Sequence, residues 1–168
     1  MIKFEKVPYS EYKNSRLIIN SKLTEEEIKA EYDQIKLPSR DTTGTAAYDF
    51  FVPYDVTLTK KFQVVLTGVR FCTDRTDVAL LCLPRSGLGF KFNTMLANTI
   101  GLIDADQSQS SHGGHILIKM NAQKKCELKR NAAFAQAIIV PFVTIDNDPA
   151  KPWNGKYINN CGIMHLEK

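Results

Sequence analysis

The chain has 168 residues, of which 43% are hydrophobic and 24% charged, enough for one domain with a substantial core and unlike a disordered chain. A net charge of +4 and a pI near 8.8 suit a small anionic ligand, but the basic residues are scattered among acids, which argues against a nucleic-acid partner. No apolar run is long enough to cross a bilayer and the opening Met1-Ile2-Lys3-Phe4-Glu5-Lys6 lacks a signal-peptide core, so no membrane partner is expected and the chain reads as soluble and intracellular.

The first forty residues differ from the rest. Leu23-Thr24-Glu25-Glu26-Glu27-Ile28 is a helix start: Thr24 caps, Glu27 reaches back to it, and Leu23 staples onto Ile28. Ile28, Tyr32 and Ile35 fall on one face, and Pro38 stops the helix. Residues 1–38 therefore read as an N-terminal helical extension, packed on the outside of the main domain in a structural role.

From Ala46 onward, short apolar runs alternate with Pro, Gly, Asp and Asn. Strands are predicted at 48–52, 64–71, 78–83, 100–103, 115–120 and 134–142, a pattern of sandwiches and barrels. Val78-Ala79-Leu80-Leu81-Cys82-Leu83 and Ala137-Ile138-Ile139-Val140 are apolar at both parities, which predicts burial on both faces, as in a jelly roll or at a subunit interface. Cys72, Cys82, Cys126 and Cys161 form no CxxC pair and no histidine stands at zinc-finger spacing, so they read as free thiols.

Four polar segments interrupt this pattern. Tyr48-Asp49-Phe50-Phe51 holds a carboxylate in an aromatic strand, and Phe134-Ala135-Gln136-Ala137 holds an amide; each must find a hydrogen-bond partner, in a ligand or within the chain. Pro84-Arg85-Ser86-Gly87-Leu88-Gly89 offers a guanidinium, a hydroxyl and backbone amides to a phosphate, although a simple turn has the same composition. Asn98-Thr99-Ile100-Gly101-Leu102-Ile103-Asp104-Ala105-Asp106 carries an amide into a short strand ending in two carboxylates. Asp104 and Asp106 are expected on one strand face, where an acid can deprotonate a water; an Asp-rich hairpin turn reads equally well. No P-loop and no GxGxxG fingerprint occurs.

Taken in order, Thr45-Ala46-Ala47-Tyr48-Asp49-Phe50, Pro84 to Gly89, Asn98 to Asp106 and Ala133-Phe134-Ala135-Gln136 resemble four motifs of the trimeric dUTP diphosphatase family. The extension and the stretch 108–115 are similar to the variant found in Gram-positive bacteria and their phages. The resemblance implies an all-β jelly-roll barrel or sandwich over 39–145, a C-terminal tail over 146–168, and a homotrimer with sites at subunit interfaces in the cytoplasm of a bacterial or phage-infected cell. It implies a water attacking the α-phosphorus of dUTP to give dUMP and pyrophosphate, with Mg²⁺ on the triphosphate. In that scheme Asp104 activates the water, and Asn98 pairs with the uracil edge. Gly101 and Ile103 line the nucleotide, Arg85, Ser86 and Gly87 hold phosphates, Gln136 assists, and Asp49 supports Arg85 and, through water, the metal.

The chain departs from the family pattern at three places. Gln107 stands where a tyrosine normally stacks on the deoxyribose, and the polar stretch 107–112 is read as flexible. The glycine-rich fifth motif that closes over the nucleotide is replaced by Trp153-Asn154-Gly155-Lys156-Tyr157, in which Tyr157 takes the place of the stacking phenylalanine. Arg130-Asn131-Ala132 replaces a glycine-bearing turn. These departures motivate an alternative: a catalytically impaired protein of the same fold that binds nucleotide or a regulatory protein partner. A dCTP deaminase of the same superfamily fits the third motif less closely.

Overall fold

The computed structural model describes residues 1–110 and 113–152. Strand β1 (Ile2–Lys6) leads into helices α1 (Tyr9–Ile19) and α2 (Glu25–Asp33). There follow β2 (Tyr48–Phe51), β3 (Val56–Leu58), β4 (Gln63–Leu66), β5 (Val69–Thr73) and β6 (Val78–Pro84). Helix α3 (Ser86–Phe92) precedes β7 (Thr94–Leu96), β8 (Gly101–Ile103), the 3-10 turn Gln107–Gln109, β9 (Leu117–Ala122), β10 (Cys126–Leu128) and β11 (Ala133–Pro141).

The named strands pair in four antiparallel sheets, ordered β2-β11-β6-β8, β4-β9-β7, β1-β5 and β10-β3. Strands distant in sequence lie side by side, as a sandwich with crossing connections requires, and the all-β expectation holds. Phe50, Phe71, Phe134, Leu58, Leu66, Leu80, Ile116 and Met120 fill the space between the sheets without solvent contact. Burying each such side chain contributes roughly 1.5–3 kcal/mol.

The extension is more than a helix on the outside. β1 pairs along the whole of β5, and Val7, Tyr12 and Ile28 are fully buried in the common core. The capping box at Thr24 forms as read: Glu27 N donates to Thr24 Oγ1, and Thr24 N donates to the Glu27 carboxylate. The helix ends at Asp33, earlier than Pro38 alone would set it, and Lys6 Nζ donates to its last carbonyls, Tyr32 O and Asp33 O, each at 2.9 Å. Ile35 lies beyond the helix but is buried. Arg16 is sealed against this core, with Nε and Nη2 donating to Glu31 at 2.7 and 3.0 Å and its guanidinium 3.8 Å over the Tyr54 ring.

The run 64–71 is two strands. Gly68 breaks it at φ +70, a left-handed conformation in which an added Cβ would stand 2.4 Å from Ile35 Cδ1 and 3.3 Å from Tyr12 Cε2. The Gly68 amide donates to Nε2 of the buried His115 at 2.9 Å, and burial pushes that imidazole down to about 3, so it stays neutral. Both the strained φ and the lost space disfavour a side chain here. Gly68→Ala is expected to cost about 1–3 kcal/mol of stability, read as a lowered urea midpoint; an unchanged midpoint would contradict this seating of the extension.

The 107–112 stretch is also better ordered at its start than its polarity implies. Gln107–Gln109 is a 3-10 turn, and the buried Ser110 Oγ accepts the Gly114 amide at 3.1 Å. Ser111 and His112 lie outside the described residues, as do Trp153, Tyr157 and Cys161. Cys72, Cys82 and Cys126 are free thiols.

Candidate active site

The site grows from the register of the four-stranded sheet. β2 and β11 pair so that Asp49 stands opposite Gln136, and β11 and β6 pair so that Gln136 stands opposite Leu83. Asp49 and Gln136 therefore share the sheet face opposite to the core, on neighbouring strands, while Phe50, Leu80 and Cys82 point inward. β6 delivers Arg85 to the same place. Its Nη2 lies 3.0 Å from Asp49 Oδ2, and its Nη1 donates to Ala133 O at 3.4 Å.

Gln136 Nε2 donates to Pro84 O at 3.0 Å, which pins the amide beside the start of the next segment and leaves its oxygen free of any partner among the described residues. Ser86 and Gly87 then open α3 with exposed side chains and backbone. The expected turn is thus a strand-to-helix corner, and Pro84, Arg85, Ser86, Gly89, Phe90 and Asn93 line a depression of about 330 Å³ there. An anion placed in it meets a guanidinium and a hydroxyl together, while Asp49 fixes the guanidinium without filling the depression.

A second group of residues lies on the sheet edge. β8 pairs with β6 through Gly101 opposite Cys82 and Ile103 opposite Leu80. A Cβ on Gly101 would stand 3.1 Å from Cys82 Cβ and 3.9 Å from Asn98 Nδ2, so glycine keeps this edge close to both. Asn98 is exposed, in a turn where Thr99 takes φ +64. The Ile103 side chain belongs to the core, so any ligand contact it makes runs through its backbone.

Asp104 and Asp106 do not share a strand face. β8 ends at Ile103, and Asp106 lies in the turn that precedes the 3-10 segment. The two carboxylates still sense each other: partial desolvation and the charge of Asp106 hold the Asp104 carboxyl above the ordinary aspartate range. Such a carboxylate is a stronger base than a free aspartate. Gln107 follows directly in the 3-10 turn, and no aromatic side chain occupies that position.

These two groups do not meet within one chain. Asp104 follows Ile103, which faces Leu80, whereas Arg85 lies beyond the far end of β6. At about 3.3 Å per residue, roughly 20 Å of strand separates them. The outward sheet face between them carries Leu81, Leu83, Ile138 and Val140, half-exposed, and Leu102 at 59% exposure. The expected burial of β6 and β11 on both faces is therefore met within one chain on the inner face and at Ala79, while the rest of the outward face stays partly exposed.

The turn Arg130-Asn131-Ala132 supplies a left-handed residue without a glycine. Asn131 takes φ +67 itself, its amide donates to Val52 O at 2.8 Å, and Val52 N donates to Ala132 O at 3.0 Å. Asparagine tolerates this region better than most side chains, so β11 enters the sheet in register. Sequence reasoning missed this left-handed residue, although Asn before a strand signals it.

The profile of the dUTPase family matches residues 33–162. A deoxyuridine 5'-triphosphate nucleotidohydrolase of Blochmanniella pennsylvanica is 31% identical over 133 residues, covering 76% of this chain and 84% of the relative. That of Blochmanniella floridana is 35% identical over 134 residues, covering 76% and 82%. Among solved structures, the dUTPase of Streptococcus mutans superposes with a TM-score of 0.59 at 28% identity, over 66% of this chain and 89% of that one. A variant dUTPase from phage phi11 of S. aureus, described with a structural Mg(II) ion, shares the fold with a TM-score of 0.60 at 16% identity, over 91% and 98%.

Proposed function

The chain belongs to the dUTPase family, and from that premise we propose that it hydrolyses dUTP to dUMP and pyrophosphate at sites completed between copies of the chain. The observation that carries this reading is the cluster of Asp49, Arg85 and Gln136 beside Ser86, assembled by strand register at one end of β6. Arg85, Ser86 and the Gly87 amide hold phosphate oxygens, Gln136 offers its amide to the phosphate chain, and Asp49 keeps Arg85 in place.

Asp104 takes a proton from a water as the water oxygen bonds to the α-phosphorus. The bridge between the α- and β-phosphates breaks, and pyrophosphate leaves with the electron pair. Positioning and charge neutralisation do most of this work, and no covalent nucleophile is needed. Asn98 pairs with the uracil edge, and the Gly101 and Ile103 backbone runs beside it.

The side chains fit Mg²⁺ arriving on the triphosphate. Asp49 Oδ1 has no partner among the described residues, and Mg²⁺ commonly keeps waters and binds through a carboxylate plus substrate phosphates. Among the described residues no cluster of three or more ligating side chains forms a cage of its own. Bound there, the ion neutralises phosphate charge.

The separation of Asp104 from Arg85 supports sites built from different subunits, and the apolar outward face of β6, β8 and β11 supports the contact that brings them together. A closed homotrimer satisfies both. The domain limits 39–145 and 146–168, and Tyr157 as a closing residue, belong to the same proposal.

Pyrophosphate release with Mg²⁺, measured for each dNTP and for UTP, tests the activity. Turnover is expected for dUTP, with weaker rejection of UTP than a stacking tyrosine gives, because Gln107 presents no ring to the sugar. Absence of dUTP turnover alongside saturable dUTP binding would replace this reading with the second one, a nucleotide-binding protein with a regulatory partner, which the same Gln107 favours.

A further inference from the structure

A second depression, of about 480 Å³, lies at the seam between the extension and the family domain. Glu31 and Gln34 of the α2 segment form one wall, and the turns bearing Tyr54, Asp55, Lys129, Arg130 and Asn131 form the other. The family profile begins at residue 33, so Glu31, together with the Arg16 and Tyr12 that hold it, stands outside the matched region.

Its two carboxylates are already committed. Glu31 Oε2 accepts from Arg16 Nε at 2.7 Å and from the Tyr12 hydroxyl at 3.3 Å, and Oε1 accepts from Arg16 Nη2 at 3.0 Å. Asp55 Oδ2 accepts from Lys129 Nζ and Oδ1 from the Arg130 amide, both at 2.8 Å. The Arg130 guanidinium, whose charge acts on Asp55 without a hydrogen bond to it, and the side-chain amides of Gln34 and Asn131 make no hydrogen bond among the described residues, and all can donate. Lys129 keeps two further N–H donors. Arg16, which lies behind the lining, neutralises Glu31, and Lys129 neutralises Asp55, so the charge of Arg130 is the one the walls leave over.

We propose that this seam is a second anion site, distinct from the Arg85 depression, which takes inorganic phosphate or the phosphate of a small ester. Arg130 supplies the fork that suits a phosphate, and Gln34 closes the opposite side. Arg130 is three residues before Ala133, whose carbonyl accepts from Arg85, so the anion sits on the turn that leads into the catalytic strand.

Calorimetric titration of the full chain with inorganic phosphate, and separately with dUMP, tests this. In an Arg85→Ala background, whose fold is checked by circular dichroism, saturable phosphate binding is expected to persist. It is expected to weaken at least tenfold on adding Arg130→Gln, or Gln34→Glu from the other wall. In the Arg85→Ala background, dUMP binding that is tighter than phosphate binding and is lost on adding Arg130→Gln identifies an ester as the occupant, and dUMP binding indifferent to Arg130→Gln identifies free phosphate. Loss of all saturable binding with Arg85→Ala alone, or binding indifferent to both wall variants, overturns the proposal.

Discussion

Replacing Asp104 with asparagine is expected to lower kcat for dUTP by about 10²- to 10⁴-fold, the range that a positioned general base contributes. The substitution keeps the size and polarity of the side chain and removes only its capacity to take a proton. Because Asp104 lies beyond the end of β8 and outside the buried core, the fold should survive, and KM for dUTP should change far less than kcat. The pH dependence provides a sharper check. The carboxylate works only when ionised, so kcat/KM falls as the pH drops through the Asp104 pKa, which its surroundings hold above the ordinary aspartate range. Asp106→Asn removes the charge that, after desolvation, helps to raise it, and the acid limb should move to lower pH. A limb that stays in place would show that another group limits the rate.

Two inactive variants are expected to restore each other. Asp104→Asn and Arg85→Ala each remove one half of the site, and in a closed trimer whose sites draw these halves from neighbouring subunits, some sites in mixed trimers retain both. Each mixed trimer then holds one intact site in three, so equimolar co-refolding should recover about a quarter of the wild-type rate. If both residues served one site within a chain, mixing would recover nothing. Mass spectrometry of the mixture under native conditions establishes that mixed trimers are present, so an inactive mixture would count against shared sites.

The parts of this architecture that were legible in the sequence are the local ones. The Thr24 capping box needs only residues within one turn, and it forms as read. Strands β6 and β11 announce themselves by runs of four or more apolar residues, and β2 by the aromatic residues on either side of Asp49. β3, β7 and β10, at three residues each, are too short to show alternation, and β1 is a strand because β5 accepts it as a partner. The same distinction governs the site. Asp49, Arg85 and Gln136 stand out in sequence as polar groups in apolar runs, but their meeting depends on register across three strands. The distance from Arg85 to Asp104 depends on the pairing of β6 with β8, which no local pattern encodes. Where the reading failed outright, at 64–71 and at the 104–106 face, a backbone change ended the strand earlier than side-chain period suggested.

The pairing of β1 with β5 bears on solubility. Those two strands form a sheet of their own, joined at all five positions from Ile2 opposite Thr73 to Lys6 opposite Val69. Without the first six residues, β5 would show a row of unpaired amides and carbonyls to its surroundings, flanked by Phe71 and Val69. Such an edge invites pairing with any extended segment of another molecule. The opening strand therefore acts as a built-in guard against self-aggregation, and a chain shortened at its start would be troubled by sticking to its neighbours before it was troubled by any loss of chemistry.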